Sequence, residues 1–149
     1  NLNDTLTLEK VYNIPEEDVL HIHGISGDNI IVGHGLSDER ISELGEEFMG
    51  HFMGAEYELE QTVRYLKKDT DKIMSDNLDY FKELGNKHIT EIYSYGFSFS
   101  EVDLLYIKKI CVEIDTINIV WYMHTYNQNN YSDKIRCCGF KGRIKWFDC

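Results

Sequence analysis

Two periodicities divide the chain. His88 to Tyr95, read as H-I-T-E-I-Y-S-Y, alternates and is rich in β-branched and aromatic residues, which predicts a strand over about 88–95. V-D-L-L-Y-I-K-K-I-C-V-E-I then carries apolar residues at helical spacing and predicts a helix over 100–114. I-N-I-V-W-Y-M-H-T-Y predicts a second strong strand over about 117–125, with Val120, Tyr122, His124 and Tyr126 on one face. K-G-R-I-K-W-F, from Lys141 to Phe147, fits a last, edge strand protected by its lysines.

The first half is less regular. Asn and Thr residues lead into Leu6, Leu8, Val11 and Tyr12, a short capped helix. D-V-L-H-I-H-G reads as a strand over about 18–23 ending on glycine. It puts His21 and His23 on one face. A turn through Ser26 to Asn29 leads to another short strand over 29–33, closed by Gly33-His34-Gly35. From Leu36 to Lys87 charges are dense, and Tyr57–Lys68 and Asp71–Leu84 fit two helices, the second stopped by Gly85. The acidic residues between Asp38 and Glu60 follow no ligand spacing and read as a solvated face. Strands separated by helices predict an α/β layer architecture with a mainly parallel sheet. The chain is expected to form a single domain over 1–149, with a helical insertion at about 37–86.

Composition narrows the function. A net charge of −11 argues against nucleic acid and against an anionic membrane surface, since both need clustered Lys and Arg. No apolar run approaches the roughly 18 residues of a spanning helix, and no signal-peptide pattern opens the chain. The four cysteines, Cys111, Cys137, Cys138 and Cys149, contain no C-x-x-C pair and fit reduced thiols of a cytosolic protein.

Two constellations carry candidate chemistry. The first is Y-S-Y-G-F-S-F-S-E-V-D, Tyr93 to Asp103, in which Gly96 pivots between strand and helix and Ser100 precedes Asp103 as a variant capping box. It places backbone N–H groups and a helix N-terminus at a strand's C-terminal edge, where open α/β sheets bind ligands. An ordinary βα connection would read the same way. The second is His21, His23 and His34 beside glycines. It fits a general base on a sugar hydroxyl, a metal-dependent hydrolase, or histidines that merely pack and bond backbone. A tightly bound metal is not expected, because an H-x-H pair needs a third ligand and a supporting shell.

Four blocks in order resemble the AbiH family, bacterial proteins implicated in abortive infection against bacteriophage. Asn3 to Lys10 is similar to the family's N-Y-T-x-T-L-E segment, with Asp4 at the tyrosine. Leu20-His21-Ile22-His23-Gly24 is similar to its L-H-I-H-G strand, and Ile31 to Gly35 to its G-H-G. Tyr95 to Asp103 is similar to its Y-G-H-S-L-S-x-x-D signature, with Phe97 at the histidine. The resemblance implies the C-terminal two-thirds of an AbiH domain. The family's glycine-rich G-N-G-F-D segment, which would cradle a pyrophosphate, is expected to lie outside this fragment.

That family in turn resembles sirtuin-like Rossmann domains, several of which hydrolyse NAD in antiphage defence. This implies a three-layer Rossmann-like fold, NAD as ligand and a bacterial cytoplasmic protein. Asn3 would hold the nicotinamide ribose, and His23 would act on a ribose hydroxyl. Gly24, Gly96, Ser98 and Asp103 would line the cofactor site, the last two near the adenosine end. A non-catalytic sensor that binds a small-molecule ligand or a phage component is the other reading.

Overall fold

The computed structural model describes residues 4–48, 54–124 and 131–148. It forms two compact units, Asn1–Ile73 and Met74–Cys149.

The second unit is a parallel sheet of three strands, β1 (Glu91–Ser94), β2 (Val120–His124) and β3 (Arg143–Phe147), side by side in chain order. The pairing Ile92↔Trp121↔Ile144 sets the register, so these side chains share one face. Helices α6 (Glu101–Glu113) and α7 (Tyr131–Cys137) are the crossovers that parallel strands require. They pack on that face: Ile107 and Ile135 join Trp121, Met123 and Phe140 in one buried cluster. On α6, Leu104, Ile107 and Cys111 turn toward it at the expected three- and four-residue spacing, followed by Ile114 just past the helix end. Trp121 is anchored as well as buried, with its indole N–H donating to Ser94 Oγ at 2.7 Å and its ring edge-on to Phe140. The opposite face is aromatic, with Tyr93 stacked on Tyr122 at 4.6 Å.

This is an α/β, Rossmann-like parallel sheet, and β1, α6, β2 and β3 fall where the periodicities predict them. The predicted face of Val120, Tyr122 and His124 forms, while Tyr126 lies outside the described residues.

The first unit departs from the expected strands. α1 (Thr7–Lys10) forms, but Leu20 to Gly35 contributes only isolated bridges, Gly24↔Ile30 and His34↔Lys67. The strands expected at 18–23 and 29–33 do not extend, because the Gly24 N–H turns back onto the His21 carbonyl at 3.0 Å. The alternation that would align His21 with His23 is broken there. Ile30, Ile31 and Val32 stay exposed.

Helices follow: α2 (Asp38–Phe48), α3 (Glu56–Tyr65), α4 (Thr70–Asp76) and α5 (Leu78–Leu84). The helix expected over 71–84 is divided at Asn77, whose φ of −109° and ψ of 14° leave the helical range. The acidic stretch is solvated and ion-paired. Arg40 bonds Glu43 and Glu47, while Arg64 bonds Glu60 and lies beside Asp38. Among the described residues no helix is long and apolar enough to cross a membrane.

Candidate functional site

The turn after β1 shapes the second unit's clearest cavity. Gly96 has φ +63°, a left-handed conformation open to glycine, and a side chain there would meet nothing within 4 Å. Glycine is therefore needed for the turn itself, and the space above it stays clear. Ser100 opens α6 in an extended conformation, and its hydroxyl donates to Asp103 Oδ2 at 2.6 Å. The expected capping box is thus altered: the serine caps through the carboxylate and makes no side-chain bond to a helix N–H.

Between this turn and the end of β2 lies a cavity of about 240 Å³. Gly96, Phe97, Ser98 and Phe99 form one side, and Met123, His124 and Tyr131 another. It sits at the carboxyl edge of a parallel sheet, the position the sequence pattern indicates. Phe99 is its floor. It is 1 % exposed and has φ +50°, a conformation that costs a residue with a Cβ on the order of 1–3 kcal/mol. Three interactions hold it there. Its ring meets Phe97 at 4.4 Å and Tyr131 at 4.8 Å, and its carbonyl accepts a 2.8 Å hydrogen bond from Lys134 Nζ.

Of the residues expected near a nucleotide, Gly96 and Ser98 line this cavity, and Asp103 is bonded to Ser100 in the first turn of α6. His124, Tyr131 and Lys134 are additions that sequence reading missed. The only signal for them was their place just after, or within the helix following, the strand that ends at His124.

His21, His23, His34 and Gly24 belong to the first unit. His21 Nε2 donates to Glu9 Oε1 at 2.5 Å, and both side chains are over nine-tenths buried. The imidazole's hydrogen bond holds the Glu9 carboxyl below its ordinary value. His23, adjoining, is buried, and its carbonyl accepts from the Ile31 N–H at 2.7 Å. Gly24 has φ +83°, and a Cβ there would lie 1.8 Å from the Asn29 carbonyl oxygen. Only glycine fits.

His34 is a structural residue. Its Nε2 donates to the Val63 carbonyl at 2.8 Å, and its Nδ1 accepts from the Leu36 N–H at 3.2 Å. Both ring nitrogens are committed to backbone, so His21, His23 and His34 do not assemble as the ligand set of a hydrolase. Among the described residues no three His, Cys, Asp or Glu side chains are grouped to hold a metal ion. Asn3 lies outside the described residues.

No curated protein and no solved structure matches the chain. The sequence model of one family, Bacteriophage abortive infection AbiH, matches residues 1–125, which include the glycine turn, α6 and all of β2. The chain belongs to the AbiH family.

Proposed function

We propose that this protein serves phage abortive infection by binding a nucleotide at the carboxyl edge of β1 and β2, with hydrolysis of NAD as its reaction in the cell. Membership of the AbiH family supports the defence role. The observation that carries the nucleotide reading is the 240 Å³ cavity built on the Gly96 turn, with Ser98 at its side.

The residues fit one part of NAD better than another. The aromatic walls suit a ring with its ribose. The α6 N-terminus carries Glu101 and Asp103 in its first turn, which oppose a pyrophosphate there. In NAD hydrolysis water adds at ribose C1′ as the bond to nicotinamide breaks; nicotinamide leaves neutral, and the proton lost by the water passes to solvent. The resemblance to sirtuin-like domains assigns His23 as base on a ribose hydroxyl and Asn3 to holding that ribose. It also assigns Gly24 to the cofactor's surroundings.

NAD titrated into the protein should raise its melting temperature. Ser98→Trp, which fills the cavity from an exposed position, should remove that rise without lowering the starting value. No shift at millimolar NAD sinks the nucleotide reading. For the reaction, His23→Ala should abolish NAD loss and phage protection in cells while folded protein persists, since a general base contributes about 10²–10⁴-fold. Undiminished NAD loss per folded molecule would remove His23 from the mechanism.

A further inference from the structure

Resting on the nucleotide reading, we infer that the cavity beside Gly96 is a base-stacking subsite: it takes the flat, uncharged ring of a nucleoside between Phe97 and Tyr131, over Phe99, and it does not take a phosphate. The walls carry the argument. Phe97 and Tyr131 are both half-exposed and both packed on Phe99, so each presents ring surface to the cavity while Phe99 is fully buried beneath them. Met123 closes the base with a polarizable side chain, which suits contact with a ring.

The charges agree. Among the described residues that line the cavity there is no lysine, arginine, aspartate or glutamate. Lys134 is not among the lining residues, and its ammonium donates to the Phe99 carbonyl. The first turn of α6, which follows the cavity's Gly96–Phe99 wall in the chain, carries Glu101 and Asp103. A helix N-terminus usually favours anions, but here the protein's own carboxylates already occupy that field.

Size points the same way. At about 240 Å³ the cavity falls below the roughly 300 Å³ at which sites for drug-sized ligands begin, so it accepts one ring and part of a sugar, not a dinucleotide. Ser98, with its exposed hydroxyl at the rim, is placed for the sugar. Stacking between aromatic side chains and a base tolerates any ring with a π-face, so the subsite selects flatness before base identity.

The test compares adenosine, which has the ring and no phosphate, with ribose 5-phosphate, which has the reverse, and with NAD, each by calorimetric titration of the same chain. Adenosine should bind and ribose 5-phosphate should not. Phe97→Leu, which keeps apolar volume against Phe99 and loses the ring face, should weaken adenosine at least about tenfold in protein that remains folded by circular dichroism. Tyr131→Leu provides the same reading from the other wall. Binding of ribose 5-phosphate without adenosine, or adenosine binding unaffected by both variants, overturns the stacking subsite and leaves the nucleotide reading standing. Failure of all three ligands overturns both.

Discussion

Glu9 and His21, twelve residues apart, share a 2.5 Å hydrogen bond with both side chains over nine-tenths buried. The bond ties the T-L-T-L-E segment to L-H-I-H-G, two of the blocks that mark the family. Glu9 Oε2 is buried and meets no hydrogen-bond partner among the described residues, and His21 supplies the bond to the other carboxylate oxygen. Because the His21 bond holds the Glu9 pKa below its ordinary 4.5, the carboxylate contributes stability that is present above that pH and fades as pH falls through the lowered value. Melting temperature should therefore drop below about pH 4.5, and Glu9→Gln should flatten that limb while lowering stability at pH 7. An unchanged acid limb in Glu9→Gln would show that the pair does not govern it.

Ser94→Ala tests the core of the second unit. The substitution leaves the Trp121 N–H without its acceptor in a site where the ring is 1 % exposed, at a cost of about 1–3 kcal/mol. Urea titration followed by tryptophan fluorescence should show a lower midpoint at unchanged slope. A neutral result would mean that the indole finds another acceptor.

The thiols should differ sharply in reactivity. Burial, with Cys138 adding to it, pushes Cys111 up to about 11, and burial likewise raises Cys138, whereas Cys137 is exposed. Thiolate is the reactive form, so at pH 8 iodoacetamide should mark Cys137 well before its neighbour Cys138 or Cys111. Peptide mass mapping over time gives the order. Equal rates at Cys137 and Cys138 would contradict the burial described for them.

The sheet was legible in the sequence and the histidine segment was not, for a definable reason. β1, β2 and α6 are each specified by local periodicity, and their burial agrees with it: Trp121 and Met123 face inward, Tyr122 outward. In Leu20–Gly24 the same alternation is overridden by one distant partner and one glycine. Glu9 takes His21, and Gly24 turns the backbone at φ +83° against Asn29. Neither contact has a periodic signature. The glycine turn at Gly96 could be placed from sequence because strand and helix patterns bracket it. Phe97, Phe99 and Tyr131 could not be joined, because the rings meet only once α7 returns to the end of the sheet.

Strand order in the second unit matches chain order, and this bears on how the molecule is made. Among the described residues β2 pairs with β1 and β3 with β2, so each of these two ladders closes a local βα segment. Such a topology keeps contact order low for a parallel sheet, where loop-closure entropy otherwise slows assembly. The sheet can grow in one direction, from β1 outward, as the chain leaves the ribosome. Pulsed hydrogen-exchange labelling during refolding should find the β1–β2 amides protected no later than those of β3, which pairs with β2 after it in the chain.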